Sequence, residues 1–166
     1  MPLIDALLPE FDREMGLTRR ALDRVPDGQF DWKPHPTSVT LGRLAEHLTE
    51  LARWTTLTMT QPGIEMTTER PPDYVRPSTR AAVLAQFDRY FKEGRSHLVG
   101  KTDGEFNAPW KLTVGGKEVF TMPKIAVMRN FVLNHMIHHR GQLMVYLRML
   151  EVPVPSIYGP SGDEQM

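Results

Sequence analysis

Three of the protein's six histidines, His135, His138 and His139, lie close together in one stretch, Phe131 to Leu150, FVLNHMIHHRGQLMVYLRML. The stretch has no proline and keeps a helical period, so it predicts one long helix. Residues four apart on a helix share a face, which sets His135 and His139 one above the other. At about 100° per residue, Met128, Phe131, His135, His139, Gln142, Tyr146 and Met149 gather within roughly 40° of one line, the line expected to face a bundle core. A buried polar group without a partner costs on the order of 1–3 kcal/mol. Either these are core histidines satisfied by carbonyls or carboxylates, or they grip one metal ion from a single helix face. Met136 stands where HExxH metalloproteases carry their glutamate, so the pair alone does not select between the two.

A third imidazole lies far upstream. A helix is predicted from about Leu41 to Met59, with Thr40 as its N-cap. Its apolar stripe is Leu44, His47, Leu48, Leu51, Trp54 and Leu57 or Thr58, which puts His47 in the middle of an inward face. A satisfied core histidine is again the plainer reading. Three histidines set inward independently weigh against coincidence.

The remaining elements must bring these two helices together. Residues 3 to 25 predict a first helix, with Leu7, Phe11, Met15, Thr18, Leu22 and Val25 inward and Pro9 near its start. VPDGQFDWKPHPTS is a long connection, and Trp32 is its one large apolar anchor. A polar stretch containing Pro71-Pro72 runs to Pro77, after which Ser78 can cap a third helix, Thr79 to Val99. Val83, Phe87, Tyr90, Phe91, Gly94 and Leu98 form its inward side. Trp110 to Thr113 and Lys117 to Thr121 flank Gly115-Gly116 and predict a short hairpin. Thr121 and Pro123 then start the last helix. The Pro- and Gly-rich tail is not helical, yet Val152, Val154, Ile157 and Tyr158 give it apolar surface to dock. The expected fold is all-α: a single-domain four-helix bundle over residues 1–166, with long crossover connections and a short β-hairpin before the last helix.

Twenty basic residues balance twenty acidic ones, and no Lys/Arg run stands out, so nucleic acid is not an expected partner. No run reaches the roughly 18 apolar residues of a membrane span, and the N-terminus lacks a basic leader. A cytoplasmic protein is expected. Cysteine is absent, which excludes disulfides, thiolate ligands and a cysteine nucleophile.

SVTLGRLAEHLTEL, NHMIHHRGQL, the FDWKP of the first connection and the VPVPSIYGPSGDE of the tail together resemble the DinB-like (YfiT-like) superfamily of small bacterial four-helix proteins. That superfamily includes the damage-inducible proteins of bacilli and is unrelated to the DNA polymerase called by the same term. The resemblance spans nearly the whole chain. It implies a divalent metal held between the second and last helices by His47, His135 and His139, while His138 has no counterpart in that ligand pattern. Three neutral imidazoles leave a position open, as in catalytic zinc sites. Zinc and nickel lead among the metals that suit imidazole.

Relatives in the superfamily imply thiol-dependent S-transfer to or from a small-molecule substrate, with a low-molecular-weight thiol as cosubstrate. A hydrolase and a non-catalytic metal-binding stress protein are the alternatives. Glu46, Glu50 and Gln142 are candidate acceptors for the ring N–H groups. Tyr146, Arg140 and Gln142 are the candidate catalytic residues, and Asp163 and Glu164 would approach the metal only if the tail folds back. Leu133, Met136, Ile137 and Met144 fall on the expected outer face of the last helix. An apolar outer face needs a cover, from the hairpin around Trp110, from the C-terminal tail or from a second copy, and the expectation is a homodimer.

Overall fold

The computed structural model describes residues 1–67, 69 and 74–165. The chain runs α1 (Leu3–Leu22), α2 (Leu41–Thr60), β1 (Gly63–Met66), α3 (Arg80–Leu98), α4 (Asp103–Asn107), β2 (Pro109–Val114), β3 (Lys117–Pro123), α5 (Lys124–Val127), a π-helical stretch (Met128–Asn134) and α6 (His135–Met149). The bundle of four long helices and the hairpin before the last one are as expected. Pro71-Pro72 lie outside the described residues.

Local chemistry accounts for most boundaries. The Thr40 hydroxyl accepts from Arg43 N–H at 3.2 Å and starts α2. Thr79, not Ser78, caps α3, accepting from Ala82 N–H. The first helix ends at Leu22 because Pro26 disfavours helical backbone at Val25. Val25 still reaches the core. Thr102 and Glu105 form a reciprocal capping box on the short α4, which the periodicity had not indicated.

The core draws on the predicted stripes of the first three helices, although His47, Trp54 and Leu57 of the α2 stripe are only half-buried. Leu7, Phe11, Met15, Leu22, Leu44, Leu48, Leu51, Val83, Phe87 and Leu98 are all buried. Each such side chain contributes about 1.5–3 kcal/mol.

The last helix departs from expectation. Its buried stripe is Val132, Leu133, Met136, Arg140, Leu143 and Leu147, while His135 and His139 stand beside that stripe at the rim. Leu133 and Met136, expected on the outer face, are fully buried, so the bundle itself covers them. Met144 also packs against the core. The reason is Arg140, a charged residue at a core position, which disguises the true stripe. Its guanidinium is 2% exposed.

The hairpin turns at Gly115 and Gly116, whose φ values of 57° and 74° are the left-handed conformation a tight two-residue turn demands. The structure adds β1, which pairs parallel with β2 through Gly63–Lys111 and Ile64–Leu112. A Cβ on Gly63 would stand 2.3 Å from the Lys111 carbonyl oxygen, so this approach requires glycine. Trp110 is buried beneath the sheet, where its indole N–H donates to the Leu57 carbonyl at 3.4 Å. Trp54, Phe120 and Phe131 pack around it. Among the described residues, no helix is long and apolar enough to cross a membrane.

Candidate metal centre

α2 and α6 pack side by side, and their facing rims carry the three histidines. One ring nitrogen from each of His47, His135 and His139 lies within 4.8 Å of the others. Nε2 of His135 is 2.8 Å from Nε2 of His139 and 3.4 Å from Nε2 of His47. His138 is exposed and outside this group, its ring centroid 4.9 Å from that of His139.

The outer nitrogens decide which way the protons sit. Nδ1 of His139 lies 2.7 Å from Oε1 of Gln142, and Nδ1 of His47 lies 3.2 Å from Oε2 of Glu50. Both oxygens are acceptors, so each favours the tautomer with the proton on the facing Nδ1. The Phe131 carbonyl, one turn back, favours a proton on the His135 ring, whose Nε2 is the nitrogen within the cluster. In the Nδ1-protonated tautomer the Nε2 lone pairs of His47 and His139 both face Nε2 of His135. Facing lone pairs repel unless a cation sits between them. Burial, then the neighbouring imidazoles His139, His47 and His138, hold His135 down to about 4. Burial likewise lowers His139, against a smaller upward effect from Gln142. Burial thus favours the neutral form of His135 and His139, the form in which imidazole binds zinc-like ions.

Gln142 and Glu50 thus stand where the sequence suggested acceptors. Glu46 does not. It is buried and turned from the rings, its carboxylate accepting from the Tyr74 hydroxyl at 2.6 Å and pairing with Arg76 at 3.0 Å and Arg43 at 3.3 Å. Arg43 also reaches Glu50 at 3.0 Å, which ties the acceptor of His47 to a cation.

Arg140 is not brought to the histidines. Its guanidinium donates to Glu14 Oε2 at 2.8 Å, Thr18 Oγ1 at 3.2 Å and the Tyr158 hydroxyl at 2.7 Å. Tyr158 in turn donates to Glu14 at 2.6 Å. Burial and the Glu14 carboxylate both raise the Tyr158 pKa, keeping the hydroxyl protonated. Arg140 therefore locks α6 to α1 and the tail. Tyr146 lies edge-on to Trp32, and its hydroxyl donates to the Val39 carbonyl at 3.3 Å. The tail carboxylates also turn elsewhere: Asp163 pairs with Arg148, and Glu164 with Arg20 and Arg24.

The sequence did not reveal a cavity of about 490 Å³ that reaches His47 along α2. Arg43, Glu50, Arg53, Trp54, Leu57 and Arg76 contribute to its wall. The spacing of Arg43, His47, Glu50, Trp54 and Leu57, alternating four and three, was the available signal.

A model of the DinB family matches residues 3–165. The uncharacterized protein YrdA of Bacillus subtilis (strain 168) is 24% identical over 163 residues, 97% of this chain and 91% of that protein. The crystal structure of a DinB-like protein from Bacillus cereus ATCC 10987 superposes with a TM-score of 0.72 at 24% identity, covering 95% of this chain and 98% of the other. That of the DinB-like protein YjoA from Bacillus subtilis gives 0.69 at 15% identity, covering 92% and 96%.

Proposed function

The chain belongs to the DinB family, and from that premise we propose that His47, His135 and His139 hold one divalent metal ion, zinc or nickel, in a metal-dependent enzyme. The observation that carries this is the convergence of three Nε2 atoms, with a side-chain oxygen facing the Nδ1 of His139 and of His47. Coordination by three neutral imidazoles leaves the ion open to a further ligand. The cavity at His47 gives a small molecule a way to it, which supports catalysis over a sealed, purely structural site.

The reaction proposed is thiol-dependent S-transfer in the cytoplasm. A bound divalent ion supplies Lewis-acid activation, lowering the pKa of a thiol or a water that reaches it. The thiol gives up its proton to solvent, its sulfur bonds the electrophilic carbon, and the leaving group departs with the electron pair. The chain's own part is to hold the ion through three rings and to fix those rings through Gln142, Glu50 and the Phe131 carbonyl. The absence of cysteine means that the nucleophilic sulfur arrives with a low-molecular-weight thiol. Hydrolysis at the same centre is the competing reaction.

Elemental analysis of the purified protein tests the metal, and a panel of small thiols with an electrophile tests the chemistry. About one ion per chain, with turnover that needs both ion and thiol, is the expected result. Ester or amide hydrolysis without thiol replaces the transferase reading with the hydrolase one, and metal-free protein overturns both. A homodimer through the outer face of the last helix is a separate proposal. Of the residues expected on that face, Ile137 and Met144 stay partly exposed. Val145 and Met149, the latter expected inward, are 57% and 55% exposed, and a monomer in light scattering would end the proposal.

A further inference from the structure

The cavity beside the histidines has a marked division of chemistry. On α2, Arg43, His47, Trp54 and Leu57 follow one another along one face, with Arg53 beside Trp54. The helical rise puts Arg53 about 9 Å and Leu57 about 15 Å beyond His47 along the axis. Trp54 is held in place from behind. Its ring stacks on Phe131 at 6.2 Å and lies 6.0 Å from Trp110, so it offers a fixed flat surface. Leu57 is held where its carbonyl receives the Trp110 indole N–H.

The charges are uneven. Among the described residues, Arg43 pairs with Glu46 and Glu50, and Arg76 pairs with Glu46. Arg53 has no carboxylate partner among the described residues, and its guanidinium lies 6.0 Å from the centre of the Tyr90 ring. Arg76 keeps 60% of its side chain exposed although it is paired. Among the described residues, three guanidiniums thus line the cavity with one carboxylate, Glu50, while Glu46 lies fully buried behind Arg43 and Arg76. Among the described residues the surplus is positive and lies next to a flat apolar wall.

We infer that this cavity binds a small organic anion with a flat apolar body, on the order of 10 Å long. Arg53 and Arg76 take its carboxylate, sulfonate or phosphate, Trp54 and Leu57 pack against its body, and its reactive end lies toward His47. The inference deepens the metal reading and rests on it only for where the reactive end lies. Guanidinium is suited to such anions because its planar N–H groups bond two oxygens at once. An apolar face set beside the charge distinguishes the expected ligand from a free inorganic ion, which would gain nothing from Trp54.

The test compares two probes of nearly the same aromatic body, 8-anilinonaphthalene-1-sulfonate and the uncharged N-phenyl-1-naphthylamine. Both are titrated by fluorescence into the intact protein, with metal content measured on the same samples. Wild type is expected to prefer the sulfonate by about tenfold or more. Arg53→Gln with Arg76→Gln should remove that preference, leave the neutral probe's affinity within about twofold, and leave metal content unchanged. Arg19→Gln, remote from the cavity in a pair with Asp88, should change neither probe. Equal affinity for both probes in wild type overturns the inference, as does a preference that survives the double substitution. A protein without metal that still loses its sulfonate preference on Arg53→Gln with Arg76→Gln upholds the anion pocket and sinks the metal reading. Bound metal with no sulfonate preference does the reverse.

Discussion

Oε1 of Gln142 lies 2.7 Å from Nδ1 of His139, one helical turn away on α6. The amide holds the ring in the tautomer that turns the Nε2 lone pair toward His135 and His47. Partners of this kind typically change metal affinity by about 10–100-fold when removed. Gln142→Ala should therefore weaken metal binding by about tenfold or more while the helix stays folded, as read by titration calorimetry and circular dichroism. An unchanged affinity would mean that the ring needs no such support.

The ligands themselves should be separable from their neighbour. His47→Ala, His135→Ala and His139→Ala should each lose most of the bound metal, and His138→Ala should keep it. Elemental analysis of the four purified variants checks this. Metal lost with His138 and kept without His135 would put the ligands on a different face of α6.

Arg140 predicts a loss of a different sort. Removing one partner of a buried ion pair strands the other, at a cost of about 3–5 kcal/mol. Arg140→Ala and Glu14→Ala should each show that loss in urea denaturation, while the molecules that remain folded keep their metal. A parallel loss of metal at full stability would return Arg140 to the site.

Acid should destabilise the metal-free protein through His135. Its pKa is lowered to about 4 in the folded chain, from the ordinary 6.5. The unfolded chain thus binds the proton first as pH falls, and stability drops between about 6.5 and 4 and then levels. Urea midpoints of metal-free protein across that window measure the effect. His135→Gln should flatten that part of the profile. A wild-type curve that rises toward acid would contradict the burial of this ring.

Much of this was legible from spacing alone. Most of the stripes of the first three helices and the Gly115-Gly116 turn follow from residue type and period, because burial and helical geometry act locally. The grouping of His47, His135 and His139 followed instead from the family resemblance, and it lies at the rim rather than on the core stripes. The phase of the last helix was not legible. Its core stripe passes through Arg140, and nothing local shows that Glu14, 126 residues earlier, supplies the compensating carboxylate. β1 was hidden for a similar reason. Gly63–Met66 is four residues with no clear alternation, and its pairing with β2 rests on the space that a missing Cβ leaves. The anion-facing arginines were legible as charges but not as a group, since Arg76 arrives from a separate connection.

The π-helical turns from Met128 to Asn134 make the last helix an indexed part rather than a uniform rod. Val132 and Leu133, adjacent in sequence, are both buried there. Phe131 in the same turns stacks on Phe120 at 4.6 Å, while its carbonyl faces the His135 ring. A one-residue deletion in this stretch could restore ordinary α-helical bonding, and by local criteria it would look harmless or even stabilising. It would also rotate the two halves of the helix by about 100° against each other. The aromatic wall and the histidines would then lose their common alignment. The wide turns act as a spacer that sets the angle between the surface a ligand rests on and the atoms that would act on it.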